Sequence, residues 1–586
     1  MSSVLVFVVA AVVGVAAGDV VRRVATRRGA VVPPTQDRWH RRSTPTFGGL
    51  AIAIGTLAGF ASGGTYSWDA LVVLGVAAAM LVVGWIDDRF RLTPLAKLVA
   101  SLAAAAFVLY ALTFLRGRPV SPAATVLAVI WFAGIVHALN LLDNMDGLAG
   151  GVGLIAAAAF SIVYGDRLGA STAVMLWGLA GSLAGFLVWN RHPARLFMGD
   201  CGSLFIGSML AGASLLTVVD SNQPMLDSMG VALVLAVPLF DTGFVLLLRR
   251  LAGRPATRGG TDHVSHRLVS LGLSEPRGVA SLYVIGASGA ALAWAVRHGG
   301  ISSVPFAALF AVVILLIGIY LARVPAYDGE DFLALQKTSF APLLSDLHFR
   351  WHAAEVLLDV ALIAFCFYAS YRIRFEGEQL NTFMPSFAAS LPFVLGCKLG
   401  ALYVSGLYSR MWSTFGLRDL SAVARGVGLG SLLSVLGATY VYRFERFSRS
   451  VFIIDAVLLT LAIVGTRASF RIMSTAATSR DARSRRVLIY GAGGRGQLLA
   501  REMISNAGWG MNPVAFIDDD PVKVQRRVLG IPVRGTVDSL ETILGRDSVD
   551  ELLLSSPSIN GTREAQARAI CDAHRVAVRR LYLEIR

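Results

Sequence analysis

Apolar stretches of about 17–25 residues recur along this chain, each long enough to carry a helix through a bilayer. They predict eleven helices in the first part, at 2–18, 47–63, 68–86, 95–115, 122–139, 150–165, 170–189, 202–219, 229–248, 277–296 and 303–322. A charged connector at 323–350 separates these from four more, at 351–371, 387–407, 423–442 and 451–467. The pattern then turns soluble. Arg483, Arg485 and Arg486 precede Val487-Leu488-Ile489-Tyr490, which reads as a strand. Gly491-Ala492-Gly493-Gly494-Arg495-Gly496 then leads into a helix at 497–503, and strands follow at 514–517 and 552–555. The expected fold is a polytopic α-helical membrane protein of about 15 spans with a C-terminal cytoplasmic α/β Rossmann-like domain. Its parts are 1–322, the connector 323–350, a four-helix membrane module at 351–470 and the Rossmann-like domain at 484–586.

The polar connections orient these helices. One side receives 19–46, with Arg22, Arg23, Arg27, Arg28, Arg38, Arg41 and Arg42, and 249–276, with Arg249, Arg250, Arg254, Arg258 and Arg267. The opposite side receives 64–67 and 220–228, which contain no Lys or Arg. Basic loops stay in the cytoplasm, so the N-terminus lies outside and four added spans return the C-terminal domain to the cytoplasm. Composition agrees: 55% of residues are hydrophobic and 16% charged, which excludes a soluble chain of 586 residues. The net charge of +15 then reads as cytoplasmic loops rather than a nucleic-acid surface. Almost no charge precedes the first apolar stretch, which argues for a retained helix rather than a cleaved signal. Cys201, Cys366, Cys397 and Cys571 have neither zinc-site spacing nor the look of a disulfide scaffold.

Acids change the picture most. Asp87-Asp88, Asp143 with Asp146, and Asp200 all fall on the predicted cytoplasmic side, at rims where carboxylates are costly unless they bind a metal or charged substrate. Asp143 and Asp146 share one face of a helical turn, with Gly147 beside them for close approach; the plainer alternative is an Asx-rich turn. Asp200, in Phe197-Met198-Gly199-Asp200-Cys201-Gly202-Ser203, can reach Mg²⁺ while nearby N–H groups face phosphate; as a helix cap it would need no metal. His263 and His266, with Arg267, suit a diphosphate or sugar headgroup. Together they describe Mg²⁺-dependent chemistry, with Mn²⁺ an allowed substitute, between a soluble nucleotide-linked donor and a lipid phosphate.

On these motifs, residues 1–322 resemble the polyprenyl-phosphate N-acetylhexosamine-1-phosphate transferase family, whose superfamily includes phospho-N-acetylmuramoyl-pentapeptide transferase. Arg38-Trp39-His40 with Thr44-Pro45-Thr46-Phe47-Gly48-Gly49 resembles its first substrate loop, and Asp87-Asp88 with Lys97 its aspartate pair. Asn140 through Gly147 resembles its nucleotide-sugar segment, and Asn190, Pro193 and Phe197 to Asp200 its magnesium-bearing segment. His263 and His266 resemble its histidine loop. The resemblance implies Asp200 as metal ligand with Asp88 near the metal, Asp87 activating the lipid phosphate, and Asp143 and Asp146 organising the donor, with His263 also catalytic. It implies substrate contacts at His40, Lys97, Asn140, Asn190, His266 and Arg267. The implied reaction moves HexNAc-1-phosphate, GlcNAc-1-phosphate first among the choices, from UDP-HexNAc to undecaprenyl phosphate in a bacterial inner membrane and releases UMP. Other glycan-pathway enzymes are compatible partners, as is a homodimer; nucleic acid is not. Two positions depart from the family pattern: Asn144-Met145, where Gly-Leu is usual, and Ser265, where a histidine is common.

The second module resembles the front part of membrane-bound nucleotide-sugar dehydratases, through Tyr371-Arg372-Ile373-Arg374-Phe375, Arg449 to Asp455 and the glycine loop. Gly491, Gly493, Gly496 and Asp518 are its candidate ligands for a nucleotide or NAD; the alternative is a fold built on those glycines around no ligand. No Tyr-x-x-x-Lys pair follows the loop, which excludes dehydratase chemistry in these residues. Three other readings compete for the whole chain: phospho-MurNAc-pentapeptide transfer, a transport or assembly scaffold, and an oxidoreductase resting on the glycine loop alone.

Overall fold

The computed structural model describes residues 2–32, 43–113, 121–219, 221–251, 260, 262–322, 347–408, 416–443, 447–478, 485–505, 510–529, 531–546, 548–555 and 561–580. They form two compact units. One holds Met1–Val269, Ser274–Arg410 and Gly416–Gly465, and the other holds Ser270–Leu273, Met411–Phe415 and Thr466–Arg586.

The first unit begins with α1 (Ser3–Arg27), α2 (Gly48–Gly63), α3 (Trp68–Phe90), α4 (Pro94–Thr113), α5 (Pro122–Leu142), α6 (Leu148–Asn190) and α7 (Gly199–Val219). It continues with α8 (Pro224–Val234), α9 (Ala236–Leu251), α10 (Val264–Ser270), α11 (Glu275–Gly299) and α12 (Val304–Ala322). Helix α7 is its centre: every residue from Cys201 to Thr217 is buried, against α2, α3, α5 and α6. Its small residues let neighbours come close; a Cβ added at Gly207 would meet the α5 backbone at Val136. Around this centre the outer helices expose Leu95, Val99, Leu127 and Ile130, as lipid-facing surfaces do.

Twelve described helices are long and apolar enough to cross a membrane, thirteen if one bent pair is counted as a single span. The sequence count of about 15 divides α6 in two and includes the 16-residue α2. The division is real: Gly169 leaves the helical region (φ 75°, ψ 157°) between the predicted spans 150–165 and 170–189. The span expected at 229–248 is corrected. It consists of α8 and α9, bent by 78° at Leu235. Pro238 supplies the cause: it has no N–H to donate, and its ring opposes a helical carbonyl four residues back.

A second helical group follows in the same unit: α13 (Leu347–Arg374), α14 (Gly377–Val404), α15 (Leu417–Tyr442) and α16 (Arg449–Thr478), the last as far as Gly465. It joins the first group where α13 meets α12: the Phe306 and Phe365 rings pack edge to face, and Tyr368 donates its hydroxyl to the Ser302 carbonyl. Between α14 and α16, Lys398 and Asp455 form an ion pair with both side chains fully buried.

In the second unit, strands run β3-β4-β2-β1-β5-β6, where β1 is Arg485–Tyr490, β2 Met511–Ile517, β3 Arg527–Val528, β4 Ile531–Gly535, β5 Glu551–Leu554 and β6 Ala577–Arg580. All pairs are parallel except β3 with β4. The sheet is covered on both faces. Val487 and Ile489 pack toward Leu499, Ala500 and Met503 of α17 (Gly494–Ser505), while Leu488 and Tyr490 pack toward α18 (Leu540–Arg546) and α19 (Gly561–Ala573). This is the alternation a doubly wound sheet requires.

Candidate active site

The site forms where α3, α4 and α7 converge. Helix α3 runs to Phe90, so Asp87 and Asp88 occupy its last turn rather than following it. Helix α7 starts at Gly199, which puts Asp200 in its first turn. The approach is close because Gly84 lacks a side chain: a Cβ there would overlap the Asp200 carbonyl. The loop preceding α2 completes the floor, with Phe197 N–H donating to Pro45 O, and Gly48 and Gly49 N–H donating to Phe197 O and Met198 O.

The two adjacent acids are used differently. Asp88 accepts the Asp200 N–H at 2.9 Å and the Cys201 N–H at 3.1 Å, so it caps α7 from another helix. Asp87 accepts the Leu92 N–H at 2.6 Å and the Lys97 Nζ at 2.7 Å. The same ammonium reaches Asp200 Oδ2 at 2.9 Å. One cation therefore bridges two carboxylates 113 residues apart in sequence, at a site only partly buried.

Hydrogen bonds connect this centre to the 140–147 segment. Asn140 donates to Ser203 Oγ at 2.9 Å, one turn along α7 from Asp200. Asp143 ends α5 as its C-cap. Asn190 accepts the Gly147 N–H at 3.0 Å and donates to Leu196 O at 3.0 Å, holding the segment from behind. Asp146 accepts the Ala194 N–H at 2.9 Å. Asn144 accepts the Ser265 hydroxyl at 2.7 Å. The two positions that depart from the family pattern are thus each other's partners, and they link this segment to the histidine loop.

That loop is buried and braced. His263 Nδ1 lies 2.7 Å from Asp241 Oδ2, and Asp241 Oδ1 accepts the Val264 N–H at 2.8 Å. Arg249 grips Asp262 through Nε and Nη2, each at 2.7 Å. Burial works against the charged Asp262, but this fork overcomes it and holds the carboxyl below its usual range. Burial, reinforced by neighbouring His263, pushes His266 down to about 4 against the opposing pull of Asp241 and Asp262. His266 is therefore neutral at neutral pH. Arg267, expected at substrate, is buried here and donates to Asp262 O at 3.1 Å and Leu321 O at 2.9 Å, tying the loop to the end of α12. His40 lies outside the described residues.

Asp241 and Ser203 were not singled out in the sequence. An acid inside the apolar run Pro238-Leu239-Phe240-Asp241 was a readable sign; Ser203 carried none beyond its place near Asp200.

In the second unit, Gly491 has φ 101°, and a Cβ on Gly496 would overlap its carbonyl, so these two glycines build the strand-to-helix turn. A Cβ at Gly493 would meet open space. Asp518 accepts the Ala492 N–H at 2.7 Å and pairs with Lys523 at 3.2 Å. In this structure its carboxylate braces the glycine loop.

Comparison with known proteins agrees with this layout. A family model described as glycosyl transferase family 4 matches residues 70–218, and one described as a CoA-binding domain matches 393–579. A probable undecaprenyl-phosphate N-acetylglucosaminyl 1-phosphate transferase of Bacillus subtilis is 32% identical over 348 residues, covering 57% of this chain and 95% of that protein. A decaprenyl-phosphate N-acetylglucosaminephosphotransferase of Mycobacterium tuberculosis is 33% identical over 321 residues, 48% of this chain and 79% of its own length. A phospho-N-acetylmuramoyl-pentapeptide-transferase of a Synechococcus strain is 33% identical over 285 residues, 45% of this chain and 82% of its own length.

Proposed function

The chain belongs to the polyprenyl-phosphate sugar-phosphate transferases of glycosyl transferase family 4, and from that premise we propose that it transfers GlcNAc-1-phosphate from UDP-GlcNAc to undecaprenyl phosphate at the cytoplasmic face of a bacterial inner membrane. The observation that carries the reading is the single Lys97 ammonium shared by Asp87 and Asp200. Two carboxylates converging on one cation, at the rim of the membrane helices, form a place for phosphate and its counter-ion.

A divalent ion fits the same centre. Lys97 already stands as a cation between the Asp87 and Asp200 oxygens, and hard carboxylate ligands suit Mg²⁺ or Mn²⁺. Asp200 would hold it, with Asp88, fixed by the two α7 amides, beside it. When bound, the ion neutralises the donor diphosphate and the charge that develops on it. Lys97 binds the acceptor phosphate and offsets its charge. Asp87, anchored by the Leu92 N–H, takes any proton the acceptor phosphate still carries. An acceptor phosphate oxygen forms a bond to the sugar-bearing phosphorus; the phosphoanhydride bond breaks, and its electron pair leaves with UMP. Asn140 and Asn144 shape the donor side, with Asp143 and Asp146 as its carboxylates, and His263, oriented by Asp241, faces the diphosphate. His266 contributes as a neutral hydrogen-bonding group.

The test is purified full-length protein with Mg²⁺, labelled UDP-GlcNAc and undecaprenyl phosphate. Lipid-diphosphate-GlcNAc and an equal amount of UMP are expected. Failure to form a lipid product across a panel of UDP-HexNAc donors, with an active control enzyme beside it, overturns the reading. The similarity to the Synechococcus pentapeptide transferase supports a second reading, transfer of phospho-MurNAc-pentapeptide; turnover of that donor in preference to UDP-GlcNAc would establish it. For the second unit we propose a nucleotide-bearing ligand, NAD among the choices, at Gly491, Gly493 and Gly496, with Asp518 ordering the loop that receives it.

A further inference from the structure

Three segments meet near the donor side without belonging to the Asp87–Lys97–Asp200 centre. The loop after α5 brings Asp146, the loop after α6 brings His192, and the first turn of α11 brings Glu275. His192 Nδ1 lies 3.3 Å from Asp146 Oδ2 and 3.2 Å from Glu275 Oε2. We propose that these three side chains form a second divalent-cation site, of the kind zinc occupies.

Spacing is the first argument. Zinc binds imidazole nitrogen and carboxylate oxygen at about 2.0–2.2 Å, so adjacent ligands of a tetrahedral ion stand roughly 3.3–3.5 Å apart. The two separations, 3.3 and 3.2 Å, lie at the short end of that edge, and all three ligand atoms lie within 4.8 Å of one another. Charge is the second. Two carboxylates are gathered around one imidazole, and among the described residues neither forms an ion pair with a lysine or arginine. A divalent ion balances the pair fully, whereas a protonated imidazole supplies a single charge. Ligand order is the third. Asp146 Oδ2 also accepts the Ala194 N–H at 2.9 Å, which fixes the carboxylate as outer partners of metal ligands do. One nitrogen and two oxygens select zinc or manganese over magnesium, which prefers oxygen alone. With three protein ligands and His192 38% exposed, the fourth position is open to water. An ion there pins the 143–147 segment to α11. The proposal rests on this geometry; through Asp146 the site borders the donor side, and its test reads zinc retention rather than transfer.

The test uses full-length protein stripped with EDTA, saturated with Mg²⁺ and titrated with Zn²⁺ against a competing chelator. Wild type should retain one zinc per chain after gel filtration. His192→Ala and Glu275→Gln should weaken binding at least ~10-fold, the scale of lost metal-site support. His192→Cys should restore retention and add a sulfur scatterer at about 2.3 Å to the zinc absorption spectrum. Asp200→Asn should keep its zinc. No zinc on wild type, unchanged zinc on both His192→Ala and Glu275→Gln, or loss of zinc in Asp200→Asn each overturns the site.

Discussion

Lys97 does at one atom what the site must do repeatedly, which is to keep converging negative charge together. Removing its charge as Lys97→Met leaves Asp87 and Asp200 facing each other, and Asp200→Asn removes half of the pair. Both should insert normally and lose at least ~100-fold in transfer, beyond the loss typical of outer-shell changes; turnover per correctly inserted molecule is the measurement. The Ser265–Asn144 bond has a quieter effect. Ser265→Ala and Asn144→Ala should each raise KM for the nucleotide-sugar more than they lower kcat, and a double-mutant cycle should return a coupling of about 1 kcal/mol. His266 fixes a pH dependence. Its folded value of about 4 lies below the ordinary 6.5, so the unfolded chain takes up a proton first as pH falls. Its contribution to stability is whole above about 6.5, declines through that window and is gone below about 4. Thermal unfolding in detergent should therefore show a shallower loss between those values in His266→Gln than in wild type.

At the scale of elements, the α3–α7 contact decides whether the acids meet. Gly84→Ala drives a methyl into the Asp200 backbone and should cost about 1–3 kcal/mol with a large loss of transfer. Gly75→Ala on the same helix meets open space and should change neither; melting temperature and turnover separate the two. Periodicity alone foretold most helices and the change to strands near residue 485, because burial in lipid leaves long apolar runs. It missed the bend at Leu235, although Pro238 was in plain view, since an apolar average passes over one residue. It also ran α3 short and started α7 late, which left Asp87, Asp88 and Asp200 beside their helices instead of within them. The acids themselves stood out as costly residues at apolar boundaries. Their division of labour did not. That Asp88 caps α7 while Asp87 holds Lys97, or that Asn144 and Ser265 pair across 121 positions, depends on contacts no local pattern encodes.

For the whole molecule, every proposed catalytic group precedes α12's end, and the Bacillus relative is 95% covered by its 348-residue alignment. A chain ending near Arg323 should retain transfer in lipid. It should melt at a lower temperature, because the Phe306–Phe365 and Ser302–Tyr368 contacts are gone. An inactive but correctly inserted 1–323 protein, restored by adding 324–586, would instead make the second module part of the catalytic assembly. The buried Lys398–Asp455 pair bears on how the chain is made. A charged lysine in an apolar helix costs up to about 2.5–3.5 kcal/mol to insert, the figure for the helix centre, and the counter-charge of Lys398 is synthesised 57 residues later. Helix α14 therefore leaves the ribosome before the group that makes it at home in lipid exists. Until α16 emerges, α14 carries that cost alone, so α14 tested as an isolated span should insert less efficiently than the same helix with Lys398→Leu, and adding α16 should narrow the difference.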